Sequence, residues 1–509
     1  MLFWIILLLA SSLTSGARIL GVFNIPSYSH HVVYAPLYKE LSRRGHEVVV
    51  ITTNPLNDSS LTNLTEIDIS YLYRPVAVLT KLQTDKYMEF ITTMFAYGIS
   101  LFEEVMVNEE VKKLVDNPKE HFDLVIVEDQ PLLYSFGKRF NAPVIGILSV
   151  DTTMSTHSSL GNPIHPALYT DCLMDYSEKL SIWKKIRYTF NTIWFKLLEN
   201  FIAKPAVNQV VTKYFGKHFK SFHDFGKPSM LMISVNPFFH PNRPLTPQTI
   251  PIPFMHVKQP KPLPKDLAII LDNSTQGAIY LSLGSNVKSA HLPAHLQKAI
   301  IGAISELPYT VLWKWEGKNI SSLGKNVITR KWFPQQDLLA HPNIKAFVFQ
   351  GGLQSSEEAI LRGKPMVGLP FISEQHRNVK ILESLGIAIE IEPLAMTKDS
   401  LKHAIIEVAE NQKYTQKIQK LKFIAEDEPM SSLDKAVYWS EYVIRHNGTE
   451  HLKSLAADMP LYEYLLLDVI LVVSMCLALG GFLTYKILKL LYRKIISLYL
   501  NNVNKIKIS

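Results

Sequence analysis

Cysteine is almost missing from this chain. In 509 residues there are two, Cys172 and Cys476, which cannot build the disulfide framework of a stapled secreted domain. Two nucleotide-binding signatures are missing as well. No G-x-G-x-x-G follows an early strand, which argues against a nicotinamide oxidoreductase, and no Gly-Lys pair precedes Ser or Thr as a P-loop requires. There is no Asp-x-Asp and no Cys/His cluster at ligand spacing, so no metal or other cofactor is implied. Charged residues make up 19% against 47% hydrophobic and 10% aromatic, a balance that excludes disordered, collagen-like and low-complexity classes. The net charge of +8 is concentrated at one end. Lys486, Lys489, Arg493, Lys494, Lys505 and Lys507 form a terminal stretch without an acidic residue, which leaves +2 for the body and gives no indication of a nucleic-acid partner. The length allows two ordinary domains with full cores. A mean hydropathy of +0.08 suits a globular body with a few membrane-seeking segments.

The two ends bear on location. Met1 to Leu9 is nearly all apolar and small residues follow through Ala17, which reads as a secretory signal peptide over 1–17. Near the other end, Val469 to Tyr485 is uncharged and is extended by Leu465 to Leu467 across Asp468. About 20 helical residues cross a bilayer core, so 465–485 is predicted as a transmembrane helix. The basic residues just after it put the tail, 486–509, in the cytosol and the body in the lumen, a single-pass type I arrangement. Lys505 and Lys507, fifth and third from the terminus, look like a dilysine retrieval signal of the endoplasmic reticulum membrane. Sequons at Asn57, Asn63, Asn273, Asn319 and Asn447 agree with lumenal exposure.

Between the ends, apolar runs alternate with helical patterns, which implies an α/β protein in two halves. The first half, 18–236, opens with a strand over Arg18 to Phe23, a helix from His30 to Arg44 closed by Gly45, and a strand over Glu47 to Thr53. Phe122 to Glu128 and Pro143 to Val150 read as further strands. Nine prolines between Pro237 and Pro264 rule out a regular helix or a central strand, so 237–264 is taken as an extended linker. The second half, 265–445, restarts the alternation, with strands at Gly277 to Leu283, Tyr309 to Trp315, Ile344 to Phe349 and Met366 to Leu369, and helices at Pro293 to Leu307 and Ser355 to Leu361. Residues 446–464 lead to the membrane span. One stretch stands apart: Leu180 to Lys204 mixes Trp183, Phe190, Trp194 and Phe201 with Lys184, Lys185, Arg187 and Lys196. Such a helix suits a membrane interface, a wall of an apolar acceptor pocket or ordinary core packing, and the sequence leaves the choice open.

Lys331 to Asn378 concentrates groups that suit a nucleotide-sugar. Trp332 offers a flat ring for a base, and Gln335 carries both a donor and an acceptor for its edge. A strand ending in Gly351-Gly352 and leading into a helix at Ser355 presents bare N–H groups to a diphosphate. Glu358 suits a ribose hydroxyl, and Glu374 and Gln375 suit the hydroxyls of a sugar.

Together these residues resemble the signature of the membrane-bound UDP-glycosyltransferases, the family of the glucuronosyltransferases and the arthropod glucosyltransferases. The resemblance spans nearly the whole chain and includes Arg44-Gly-His-Glu-Val48, Asn242-Arg-Pro244 and Leu281-Ser-Leu-Gly-Ser285. It implies two facing Rossmann-like domains of the GT-B architecture with the site in the cleft. It also implies Trp332 and Gln335 on uracil, Glu358 on ribose, Ser285, Gln354 and Ser355 by the diphosphate, and Glu374, Gln375 and Asn378 by the donor sugar. The family's usual Thr-His-Gly-Gly reads Phe349-Gln350-Gly351-Gly352 here, so Gln350 replaces a histidine at the diphosphate while keeping an amide donor. In the family, the histidine fifteen positions before the Arg-Gly-His glycine is the general base. That position is His30, with His31 beside it as the competitor. Its orienting carboxylate is Glu128 by position or Asp129 by residue type. The expected reaction is inverting transfer of a hexose, glucose by the likeness to the arthropod branch, from a UDP-sugar to a hydroxyl of a small lipophilic acceptor. Glucuronate and galactose remain open as donors, and so does homo-oligomer formation. The second reading is a non-catalytic relative that binds UDP-sugar or a lipophilic ligand.

Overall fold

The computed structural model describes residues 16–506 apart from 74–86, 170–179, 217–218, 220, 222–224, 241, 286, 319 and 321–322. Nearly all of the expected signal peptide, together with Cys172, Asn319 and Lys507, therefore lies outside the described residues.

The central strands of each half are short apolar runs buried along almost their whole length, whereas edge strands such as those over Leu64–Asp68 and Val327–Arg330 are only partly covered. In the first half the strands are β1 (Arg18–Phe23), β2 (Glu47–Thr52), β3 (Leu64–Asp68), β4 (Leu124–Glu128), β5 (Val144–Leu148), β6 (Met230–Ile233) and β7 (Thr249–Pro251). They form one parallel sheet in the order β3-β2-β1-β4-β5-β6-β7. The second half gives β8 (Ala278–Ser282), β9 (Thr310–Lys314), β10 (Val327–Arg330), β11 (Ile344–Phe349), β12 (Met366–Gly368) and β13 (Ala388–Glu390), parallel in the order β10-β9-β8-β11-β12-β13. In each sheet the chain starts mid-sheet, builds outward, then returns to the other side of its first strand. Each sheet is thus doubly wound, with its switch point between β1 and β4 or between β8 and β11.

The helices in chain order are α1 (Tyr28–Arg43), α2 (Tyr87–Met106), α3 (Glu109–Asp116), α4 (Ser135–Phe140), α5 (Met154–Ser159), α6 (Ile182–Leu198), α7 (Lys204–Phe215), α8 (Lys265–Asp272), α9 (Ala294–Ser305), α10 (Gln335–Ala340), α11 (Leu353–Leu361), α12 (Ser373–Ser384), α13 (Lys398–Glu410), α14 (Gln412–Glu426), α15 (Ser432–Arg445), α16 (Leu461–Tyr464) and α17 (Leu467–Ile506). One face of the first sheet packs Leu20, Val22, Val125 and Val127 on Phe102 and Phe136, and the other packs Ile19, Val48 and Leu124 on Val33 and Leu37.

Two features differ from the sequence expectation. The proline-rich strap is not wholly extended linker, because it adds β7 to the first sheet. Thr249 and Ile250 pair with Leu231 and Met232, and at a sheet edge the missing N–H of Pro251 breaks no ladder. Helix α15 lies within the range expected for the second half, yet Ala436, Val437 and Val443 are buried in the core of the first sheet with Ile19, Val48 and Leu124.

Residues 454–509 form a separate unit. Among the described residues, Leu467–Asn501 is long and apolar enough to cross a membrane, with a mean hydropathy of 2.2. The helix runs on past the expected end at Tyr485 to Ile506, since neither Pro nor Gly interrupts the Leu-, Ile- and Lys-rich tail.

Candidate active site

The carboxyl ends of the strands at both switch points open onto one cleft of about 410 Å³. Its wall combines Tyr28, Ser29 and His30 of α1 with Ser282 at the end of β8 and Gly284 and Ser285 after it, Trp332, Gln335 and Gln336 around α10, and Gln350, Gln354, Ser355 and Glu358 around α11. Glu374 and Gln375 of α12 complete it.

His30 sits in the first turn of α1, directly after β1. Its Nδ1 lies 2.7 Å from Oε1 of Glu128, the last residue of β4. The Glu128 side chain is 1% exposed and takes two more donors, the Tyr34 hydroxyl at 3.0 Å and the Ile25 amide at 3.2 Å. Those donors fix the carboxylate, and the carboxylate fixes the imidazole with Nδ1–H donating, which leaves the Nε2 lone pair free. Burial disfavours charge on the His30 ring, but the hydrogen bond and charge of Glu128, with the charge of Glu374, outweigh it and raise the imidazole above its ordinary value.

The competing residues are engaged elsewhere. His31 is buried, with Nε2 at 2.8 Å from the Tyr38 hydroxyl and Nδ1 at 3.3 Å from Thr52 Oγ1, and burial lowers its pKa to about 4. Asp129 accepts from the hydroxyls of Tyr134 and Thr152, and burial raises its pKa. Successive residues at a strand end point to opposite sides, which is why Glu128 and Asp129 part company.

On the other wall Trp332 is 55% exposed, edge-on to Tyr28 at 5.5 Å between ring centroids. Gln335 donates through Nε2 to Ser355 Oγ at 3.0 Å and to Glu358 Oε2 at 2.7 Å, while Gln336 donates to Glu358 Oε1 at 3.0 Å. Burial pushes the Glu358 carboxyl up to about 7. Gln354 reaches across from α11 and donates to the Ser149 carbonyl of the first half at 3.0 Å.

Gln350 is buried against Gly284, whose added Cβ would lie 2.4 Å from Gln350 Nε2, and its Oε1 has no hydrogen-bond partner. Gly351 has a φ of +89°, and a Cβ there would sit 2.5 Å from Val379 Cγ2. The chain thus turns closely into α11, whose first-turn amides have no carbonyl ahead of them in the helix. Asn378 does not line the cleft. It donates to the Gly351 carbonyl at 3.0 Å and holds this turn. Gln375 lines the cleft, but its Oε1 accepts from the Phe371 and Ile372 amides at 2.9 and 3.2 Å.

The sequence reading passed over Lys314, the last residue of β9. Its ammonium donates to the Gly284 carbonyl at 2.5 Å, lies 3.2 Å from Glu316 Oε1 and stands 5.3 Å from the centre of the Trp332 ring. It is a cation beside the cleft where Gln350 supplies none. The available signal was its place at a strand's carboxyl end near a switch point.

Solved structures share this architecture. The glycosyltransferase VinC in complex with dTDP matches with a TM-score of 0.57 at 17% identity, over 84% of this chain and all of that one. A UDP-glucose:anthocyanidin 3-O-glucosyltransferase in complex with UDP matches with 0.54 at 16%, over 85% and 100%. The fold is that of a GT-B glycosyltransferase. The family model described as UDP-glucoronosyl and UDP-glucosyl transferase matches residues 21–500. Among relatives, UDP-glycosyltransferase UGT5 of Dactylopius coccus is 31% identical over 100% of this chain and 98% of its own. UDP-glucosyltransferase 2 of the same species is 33% identical over 91% and 92%. Human UDP-glucuronosyltransferase 2B15 is 28% identical over 92% of each. The chain belongs to the UDP-glycosyltransferase family and is an enzyme that transfers sugar from a UDP-sugar.

Proposed function

We propose that the sugar is glucose and that the acceptor is a hydroxyl of a small lipophilic molecule, attacked with inversion. His30 Nε2 takes the proton of the acceptor hydroxyl as its oxygen bonds to the anomeric carbon, and the bond from that carbon to the UDP oxygen breaks. Glu128 on Nδ1 holds the ring and stabilises the imidazolium. The transition state is oxocarbenium-like, as in other glycosyl displacements. Trp332 carries the uracil, and Gln335 turns from Glu358 to the base edge, which leaves Glu358 for the ribose hydroxyls. Ser285, Ser355 and the first-turn amides of α11 meet the charge growing on the diphosphate, with Lys314 close by. Glu374 and Gln375 face the sugar. Asn378 acts one step back by holding the Gly351 turn.

The observation that carries this reading is the His30–Glu128 contact at 2.7 Å opening onto the cleft that Trp332 and Ser355 also line. Glucose follows the wording of the signature and the name of one 33% identical relative. We further infer anchoring in the endoplasmic reticulum membrane by α17, with the body lumenal and the tail cytosolic. UDP release measured with UDP-glucose, UDP-galactose and UDP-glucuronate against a panel of phenols and steroids tests the reaction. Turnover with UDP-glucuronate alone would overturn the donor assignment. Full activity in His30→Ala would overturn the base.

A further inference from the structure

The proline-rich strap is fastened to the donor side of the cleft by a buried polar chain that the reaction proposed above does not use. Asn236, just past β6, donates through Nδ2 to Oε1 of Glu357 at 2.8 Å. Glu357 of α11 does not line the cleft, whereas Glu358 beside it does. Across from Glu357 stands His256 of the strap, and both side chains are fully buried. His256 Nε2 lies 3.1 Å from the Gln354 carbonyl in the first turn of α11, so Nε2 carries the hydrogen and Nδ1 a bare lone pair. That Nδ1 and Glu357 Oε2 lie 3.6 Å apart, and neither has a hydrogen-bond partner among the described residues. Buried polar atoms are costly when unpaired, and these two face each other about half an ångström beyond bonding distance. An ionised carboxylate there aims its charge at a lone pair. A protonated Glu357 donates to Nδ1, and the chain then runs unbroken from Asn236 to α11.

The surroundings favour the protonated acid. Burial, helped by the charge of Glu358, raises Glu357 to about 8 against the pull of Asn236 and the Phe254 backbone amide. Burial lowers His256 to about 4, with Lys258 adding to the fall and the Gln354 carbonyl opposing it. Glu358 Oε1 lies 3.6 Å from His256 Nε2, and Arg362 faces Glu358. His256 also bears on that second acid through its backbone. Its carbonyl accepts from Gln336 Nε2 at 3.1 Å, and the same Nε2 donates to Glu358 Oε1 at 3.0 Å. One strap residue thus holds both the helix start and the acid assigned above to the diphosphate and the ribose.

We propose that His256 and a proton-bearing Glu357 are positioning residues for the UDP-sugar. The carboxyl proton ties the strap to the first turn of α11, and its loss as the pH rises loosens the seat of the nucleotide. The inference rests on the donor site proposed above and adds to it two residues that never touch the donor.

The test is calorimetry of UDP binding to the full chain in detergent micelles at about pH 7 and about pH 9, on either side of the Glu357 titration. The wild type should lose about fivefold in UDP affinity between the two, a modest coupling. In Glu357→Gln the amide donates to Nδ1 at either pH while Oε1 still accepts from Asn236, so the loss should disappear. Glu358 titrates in both chains and cancels in the comparison. His256→Ala should weaken UDP about tenfold at the lower pH and raise KM for the donor while sparing KM for the acceptor. Equal losses in the wild type and Glu357→Gln overturn the proposal. So does a His256→Ala chain that melts at a lower temperature yet binds UDP as the wild type does, since the pair would then serve stability alone. Trp332→Ala separates this inference from the site it rests on. If that variant leaves UDP affinity untouched, the donor site falls and the positioning role with it. If it weakens UDP while the His256 and Glu357 variants behave as the wild type, only the positioning role is lost.

Discussion

As the proposed base His30 must be neutral to act, while Glu128 favours its charged form, so its titration is the most direct readout of that role. The base works above its pKa, and Glu128 raises that pKa. The acid limb of the kcat/KM–pH profile, which reports the free enzyme, should therefore fall at a pH above the ordinary histidine value of about 6.5. In Glu128→Gln the hydrogen bond and charge of Glu128 are lost while burial and the smaller influence of Glu374 remain, so the limb should move to lower pH as the rate drops. Asp129→Asn should leave the limb in place, because Asp129 bonds Tyr134 and Thr152. Removing the base in His30→Ala should lower kcat/KM by about 10²–10⁴-fold while calorimetry still detects UDP binding. Gln350→His offers the opposite test. It restores the group usual in the family beside the diphosphate and should tighten UDP binding by on the order of 1 kcal/mol, the typical net worth of a hydrogen bond. At this scale the aromatic, amide and acid residues around Trp332 were readable, because they are close in sequence and their chemistry is local. Lys314 was not. A lysine ending an apolar strand reads as surface until the opposite wall of the cleft is known.

The turn into α11 and the helix itself bring a glycine pair and two buried acids, Glu357 and the proposed ribose ligand Glu358, together between residues 351 and 358. The turn tolerates no side chain. Gly351→Ala imposes a positive φ and places a methyl 2.5 Å from Val379 Cγ2, so it should destabilise by about 1–3 kcal/mol in thermal melts and weaken UDP binding together. Of the two acids, Glu357 is raised to about 8 by burial, although it accepts from Asn236 Nδ2 at 2.8 Å. Because its folded pKa lies above the unfolded value, its contribution is fully present below about 4.5 and is lost as the pH rises toward 8. Glu357→Gln, neutral throughout, should narrow the difference in Tm between pH 5 and pH 8 by on the order of a few degrees. An unchanged difference would remove Glu357 from the stability profile. Most elements could be read because their apolar runs are dense, and β1 and β11 run over the residues expected. The edge strands could not. β3 alternates with Thr65 and Glu66, and β7 is a three-residue pairing inside a proline strap, made by the sheet beside it rather than by its own composition.

The chain as a whole places its two catalytic halves in sequence order but closes them out of order, since α15 returns to the core of the first sheet after the second is complete. No local pattern announces that return. Ala436, Val437 and Val443 look like any amphipathic helix face until Ile19 and Leu124 are seen to meet them. The orientation proposed across the membrane, by contrast, rests on single residues that a short experiment can read. Asn57, Asn63, Asn273 and Asn447 are all exposed, on loops spread from residue 57 to residue 447, and an oligosaccharide can reach each without unfolding. A lumenal body should therefore carry glycans at several of these sites. Endoglycosidase H should sharpen and lower the apparent mass of the full chain expressed in insect-cell microsomes, and each Asn→Gln substitution at a used site should remove one step of that shift. Protease added to sealed microsomes should trim only the basic end beyond Tyr485 and spare the body until detergent is present. A body digested in sealed vesicles, with no glycosidase-sensitive shift, would put the cleft on the cytosolic side and reverse the assignment of the basic tail.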